Sequence, residues 1–445
     1  MNGRLHLPGL ALLGFIVLIF LPGGEAQAVE VERVVSPKGI EAWLVRNHAN
    51  PIISLKLAFR GGAALDPKGK EGLARMVSTV LDEGAGDLNS QTFQKRLDDL
   101  SITLHFSAGR DTFQGTLKTL TKNRDEAFDL LALALNKPRF DGEPISRMRS
   151  QLLAGLRQDA EDPDEIASLS LFKALFPDHP YGRPVKGTPE TIRAITADDL
   201  RAFVSRRLAR DNLLIGVVGD ITPERLGMLL DKTFGGLPAR ASDWRLPEAA
   251  KPAGGKTLVV KKPVPQSAIV FAQEGLKRDD PDFYAAYVMN HVLGAGGFTS
   301  RLYTEIREKR GLAYSVGSYL YPLDAAGLIY GSAGTANKRV AETLKIIRSQ
   351  WARMAKKGVT GEELKDAKTY LTGSFPLRFT SNGRVASILI GMQLDQLGID
   401  YLDRRNGYIE AVTLEDVNRV AKKWLNPKKL TVVVVGEPEG VSSGK

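Results

Sequence analysis

The sequence contains no cysteine in 445 residues. That absence excludes disulfides, thiol nucleophiles, thiolate zinc sites and iron–sulfur clusters together. Histidine is nearly as scarce. His6, His48, His105, His179 and His291 are the five, and no two lie within five residues of each other. A local histidine metal motif is therefore missing. Beyond one N-terminal stretch no run is apolar enough to span a bilayer, and a mean hydropathy of −0.15 excludes a multi-span membrane protein. The net charge of +10 also lacks a pattern: Arg206, Arg207 and Arg210, Lys338 and Arg339, and Lys422 and Lys423 are scattered, and of the aromatics only Trp424 adjoins any of them. Neither a base-stacking platform nor a nucleic-acid motif results. A solvated basic surface, or a face that attracts acidic substrates or a partner, is the reading that remains.

What is present begins with an address. Arg4 opens a short basic region, residues 10–21 are almost wholly apolar, Pro22, Gly23 and Gly24 break the run, and Ala26-Gln27-Ala28 offers small residues for cleavage. That order predicts a secretory signal peptide over 1–28 and an exported, periplasm-like location. The membrane enters only if the segment is retained as an anchor.

The chain then repeats itself at an offset of 217 residues. Ile192, Ala194, Thr196, Asp199, Leu208, Leu213, Val217, Val218 and Gly219 recur as Ile409, Ala411, Thr413, Asp416, Leu425, Leu430, Val434, Val435 and Gly436, nine identities without a gap. Each copy predicts a helix capped by Thr, a capping box closed by Asp, and a β-rich run ending at Gly. Two homologous halves follow, 29–237 and 257–445. The Pro- and Gly-rich stretch 238–256 reads as the linker between them. Its Gly255-Lys256-Thr257 is no phosphate loop, because position 250 is Ala. Strands are expected at 52–59 and 268–272, helices at 71–81, 123–135 and 282–293, and a hairpin at 314–320 with 327–331. Strands in neighbouring pairs, with helices grouped between them, predict an α+β fold of two sandwich halves.

Several motifs stand in order along these halves: Arg60-Gly61-Gly62 with Gly69-Lys70-Glu71-Gly72-Leu73-Ala74; the 176–184 run through His179 and Tyr181; Gly294, Gly296, Gly297 and Phe298 before Ser300-Arg301-Leu302; and Arg307 with Gly311-Leu312-Ala313-Tyr314. Together they resemble the insulinase/pitrilysin-like zinc peptidases, the inverzincins, over essentially the whole chain after residue 28. The catalytic signature of that family is missing. Where the resemblance implies His-x-x-Glu-His on one helix, the chain has Arg75, Ser78 and Thr79, and the third zinc ligand falls on Gly155. This chain is therefore expected to bind no zinc.

No substitute site is evident. The acidic run 159–165 reads as a helix start capped by Asp162 ahead of Pro163. His179 lies in a Pro/Gly loop without nucleophilic companions, and Ser78 has no neighbouring base in sequence. The resemblance instead implies that Arg307 and Tyr314 reach towards zinc held by a homologous subunit, where a guanidinium and a phenol donate to the developing oxyanion. Gly294, Gly296, Gly297 and Phe298 are implied to handle substrate. Some members of the family split the work between two chains. The expectation is thus a non-catalytic subunit of a heteromeric zinc endopeptidase acting on small or unfolded peptides, its partner carrying His-x-x-Glu-His and the zinc. The alternative is an inert peptide-binding or scaffolding homologue.

Overall fold

Two kinds of apolar run build the strands. Where polar and apolar residues alternate, one face of the strand meets a core; where the run is continuous, as in Thr431–Gly436 with all six residues buried, both faces are covered. The computed structural model describes residues 29–252 and 254–444, so the predicted signal segment lies outside the described residues. The first sheet holds β1 (Glu32–Val35), β2 (Glu41–Arg46), β3 (Ile52–Arg60), β4 (Thr103–Ala108), β5 (Thr112–Leu120) and β6 (Leu213–Gly219), in the order β1-β2-β6-β3-β5-β4. The second holds β7 (Thr257–Lys261), β8 (Gln266–Glu274), β9 (Ala313–Leu323), β10 (Ala326–Ala336) and β11 (Thr431–Gly436), in the order β7-β11-β8-β10-β9. Without β1 the two orders are the same. The parallel pair β2–β6 matches β7–β11, and the antiparallel pair β3–β6 matches β8–β11.

The repeated segments form helices Ala197–Arg207 and Leu414–Trp424. Thr196 Oγ1 accepts from the Asp199 N–H at 3.3 Å while Asp199 Oδ2 accepts from the Thr196 N–H at 2.8 Å. Thr413 and Asp416 reproduce both bonds at 3.0 and 3.1 Å. Sequence identity across the offset is therefore identity of caps. The hairpin is longer than its apolar core suggests, β9 and β10 pairing from Ala313 to Thr335, and helix Phe283–Asn290 passes into a π-turn over His291–Ala295.

The halves are not self-contained sandwiches. Helix Pro163–Leu175, from the first half, lays Ala167, Leu171, Phe172 and Leu175 on Val270, Ala272, Leu328, Val433 and Val435 of the second sheet. Helix Asn382–Leu394, from the second half, lays Val385, Ala386, Leu389 and Met392 on Trp43, Val45 and Val218 of the first. Each sheet thus has its own helices on one face and a borrowed helix on the other. The continuous apolar runs of β6, β8 and β11 need this second cover. Polar bonds fasten the exchange: Gln393 Nε2 donates to the Ile215 carbonyl at 3.0 Å, and Asn47 Nδ2 to Asn382 Oδ1 at 2.8 Å.

The 176–184 motif turns out to be a clasp between halves. Tyr181 is fully buried; its hydroxyl donates to Asp111 Oδ1 at 2.7 Å and accepts from the Ala325 N–H at 2.9 Å, in the turn of the β9–β10 hairpin. Burial raises the pKa of both Tyr181 and Asp111. His179 Nδ1 accepts from the Tyr181 N–H at 3.2 Å, and its other nitrogen meets the Pro247 carbonyl at 2.8 Å. The histidine is held by loop and linker. It faces no nucleophile.

Candidate functional site

Helix Leu73–Val80 carries the positions where the resemblance places zinc. Its amino end is set by Asp66, whose carboxylate accepts from the Gly72 N–H at 2.9 Å and the Ala74 N–H at 3.1 Å. Gly72 sits at φ +91°, and a Cβ there would lie 2.8 Å from the Lys186 carbonyl oxygen, so both backbone and neighbour demand glycine. The motif around Gly72 is thus the seat of this helix. Burial pushes the Asp66 carboxyl up to about 7 against the pull of the two N–H donors. A raised acid pKa lets the folded state keep a proton that the unfolded chain loses above its ordinary pKa of 3.8. Stability from Asp66 is therefore present at low pH and lost as pH rises towards 7. Relative to Asp66→Asn, the wild type should gain about 2 kcal/mol between pH 7 and pH 5. Denaturant midpoints across that range test this; a difference between the two proteins that does not vary with pH would overturn it.

The residues present do not fit a zinc ion. Ser78 Oγ donates to the Arg75 carbonyl and Thr79 Oγ1 to the Met76 carbonyl, both at 2.8 Å, so each hydroxyl is satisfied within its own helix. Arg75 contributes a cation, and Gly155 has no side chain to offer. Among the described residues no group of three or more His, Asp and Glu is arranged to hold a metal. The acidic run caps helix Pro163–Leu175, with Asp162 Oδ1 accepting from the Asp164 N–H at 2.8 Å. Its Glu161 and Asp159 pair with Lys262 and Lys186.

The second half presents a different surface. Arg307 lies in a π-turn over Thr304–Glu308, and Gly311 follows it, donating its N–H to the Arg307 carbonyl at 2.9 Å. Tyr314 falls at a β-bulge: Thr335 pairs with Ala313 and Gly334 with Ser315, which leaves Tyr314 unpaired on the edge strand β9. A bulge re-aims its extra residue, and Tyr314 is 79% exposed. Arg307 Nη1 donates to the Tyr314 carbonyl at 2.9 Å. Its guanidinium carbon stands 4.5 Å from the Tyr314 ring centroid and 5.0 Å from that of Tyr303. Among the described residues no carboxylate pairs with Arg307. Glu305 is taken instead by Lys309 and Arg310, each at 2.7 Å, and the Lys309 ammonium first, then Arg310, holds its carboxyl below the usual range.

The glycine-rich segment adjoins this pair. A Cβ on Gly294 would lie 2.3 Å from Ser318 Oγ, so the segment runs hard against β9 and only glycine fits. Asn290 anchors the same contact, donating to the Ser318 carbonyl at 3.1 Å and accepting from Ser318 Oγ at 2.7 Å. A Cβ on Gly296 would lie 2.8 Å from the His291 carbonyl oxygen, whereas Gly297 meets open space. Phe298 is 70% exposed and sets its ring edge-on to Tyr303 with centroids 4.8 Å apart. Phe298, Tyr303, Arg307 and Tyr314 therefore form one continuous row. Tyr303 and the bulge were not anticipated from sequence; the aromatic spacing 298, 303, with Arg at 307, was the available signal. Arg301 fixes the row from behind through two bonds to Glu363, at 2.7 and 2.6 Å, with its own side chain 9% exposed.

Comparison with known proteins identifies the family. Residues 42–189 match the insulinase family model (peptidase family M16), and residues 194–371 match the model described as the peptidase M16 inactive domain. A non-peptidase homolog from Helicobacter pylori is 30% identical over 433 residues, covering 95% of this chain and 98% of its own. An uncharacterized zinc protease of Streptomyces coelicolor is 28% identical over 369 residues, covering 81% of this chain and 76% of its own. The crystal structure of a peptidase M16 inactive domain from Pseudomonas fluorescens superimposes with a TM-score of 0.86 at 30% identity, covering 94% of this chain and 99% of that one. The chain belongs to peptidase family M16.

Proposed function

We propose that this chain is the non-catalytic, substrate-binding subunit of a heteromeric zinc endopeptidase. The partner is a homologous subunit that carries His-x-x-Glu-His and the zinc; this chain contributes Arg307 and Tyr314 to a shared site and binds no metal itself. One asymmetry carries the reading. At the positions where the resemblance places zinc ligands the first half carries Arg75, Thr79 and Gly155, while the second half keeps a row in which Phe298 and Tyr314 are exposed and the half-buried Arg307 has no carboxylate partner among the described residues. Peptide cleavage places negative charge on the carbonyl oxygen, and a guanidinium with a phenol O–H are the donors that charge requires. Phe298 and the glycine segment supply an apolar, close-fitting surface beside them for small or unfolded peptides. The basic and apolar order of residues 4–28 supports an exported, periplasm-like location.

A quenched unstructured peptide with added zinc tests this. The chain without its predicted signal segment should be silent alone. Mixed with a His-x-x-Glu-His homologue from the same organism, it should raise cleavage well above that of the homologue alone. No gain on mixing would overturn the proposal and leave a peptide-binding or scaffolding homologue.

A further inference from the structure

The edge strand β4 of the first half occupies the place that β9, which bears Tyr314, occupies in the second. A row of polar side chains crosses the sheet there. Lys56 on β3 is registered opposite Thr116 on β5, and Thr116 opposite His105 on β4. Their neighbours Leu55, Leu57, Leu104, Phe106 and Leu117 all point into the first core, so the period of two sends Lys56, Thr116 and His105 to the other face. Lys56 Nζ donates to Thr116 Oγ1 at 2.6 Å. Helix Leu73–Val80 packs beside β4 and brings a second cation, Arg75. Partial desolvation of the imidazole depresses the His105 pKa first, and the Arg75 and Lys56 charges depress it further. Among the described residues no carboxylate offsets them: neither Arg75 nor Lys56 forms an ion pair, and burial alone shifts Lys56. His105 is exposed, and Lys56, Thr116 and Arg75 are half-buried.

Two part-desolvated cations, a hydroxyl and a neutral imidazole with no anion among them are an incomplete electrostatic arrangement. We propose that this row binds a peptide carboxylate, with Arg75 and Lys56 as the pairing cations and Thr116 and His105 as hydrogen-bond donors. The guanidinium fork matches a carboxylate with two parallel bonds. The free edge of β4 beside the row offers main-chain partners to an extended segment, so the anion arrives on a peptide. The carboxylate is either a chain terminus or an acidic side chain. The inference rests on the peptide-binding part of the proposed function but needs no partner subunit.

The test uses fluorescence anisotropy with the chain alone, residues 29–445, at low and at moderate salt. Three labelled unstructured peptides serve as probes: acidic with a free carboxyl terminus, acidic with an amidated terminus, and neutral with a free terminus. Wild type should bind the first, and Arg75→Gln and Lys56→Gln should each weaken it about tenfold with unchanged thermal unfolding. Loss of binding on amidation alone assigns the terminus; retention on amidation with loss in the neutral peptide assigns an acidic side chain. Inorganic phosphate should compete in the millimolar range. Equal binding by wild type and both variants would overturn the site while leaving the peptide-binding reading intact. Phosphate binding that Arg75→Gln abolishes, with no binding of any peptide, would overturn the peptide as its source. Failure of the mixed cleavage assay, with peptide binding intact here, would count against the shared catalytic site alone.

Discussion

Arg307→Ala should lower kcat/KM of the mixed peptidase at least tenfold on an unstructured peptide, a loss of about 1.4 kcal/mol of transition-state stabilisation. Removal of one donor to an oxyanion commonly costs more than this, on the order of a hundredfold, so tenfold is the floor. The substitution also withdraws the bond to the Tyr314 carbonyl and the cation between the two rings, which frees Tyr314 to leave its position. Tyr314→Phe is the sharper probe. It removes one hydroxyl and keeps the ring against which Arg307 rests, so kcat should fall while KM changes little. The double variant should be less than the sum of the two, because the groups act as a unit. Glu308→Ala, on an exposed neighbour of Arg307, should leave the rate unchanged. Rates indifferent to both Arg307→Ala and Tyr314→Phe would remove the pair from the chemistry.

Cutting the linker should not separate the halves. With a protease site placed at residues 250–252, the nicked protein should elute as one species and unfold in one transition. The reason is the exchanged helices, each of which covers the sheet of the other half. Leu389 belongs by sequence to the second half, yet it is fully buried against Trp43, Val45 and Val218 of the first. Leu389→Ala should cost about 2–5 kcal/mol. Hydrogen exchange should register that loss at β6 and β11 alike, because the exchanged helices tie the two sheets into one cooperative unit. Two unfolding transitions in the nicked protein, or protection lost in one sheet only, would contradict this account.

Much of the fold was legible because its signals are local. Thr196 with Asp199, and Thr413 with Asp416, announced two identical caps within four residues each. The run Val432–Val435 marked a β-rich segment ending at Gly436. It did not identify the cover, since the helix that packs on Val433 and Val435 begins at Pro163, in the other half. The candidate site divides in the same way. Arg307 and Tyr314 stand seven residues apart and could be named from their motif. That Tyr314 is re-aimed by a bulge depends on its register against Gly334 and Thr335, which no local pattern encodes. Lys56, His105 and Thr116 form a row only after three strands pair. Arg75 was noticed as a lost histidine and could not be recognised as a neighbour of that row.

The crossed helices also set an order of events during synthesis. When β6 leaves the ribosome, every strand of the first sheet has been made, but Trp43, Val45 and Val218 lack the helix that will cover them until translation reaches residue 394. At about 5–20 residues per second that interval lasts roughly ten seconds or longer. The early half must pass it with one apolar face open, as a natural client for a chaperone. Its last layer then arrives nearly at the end of the chain, so a transcript truncated before that helix yields a first half that is never closed.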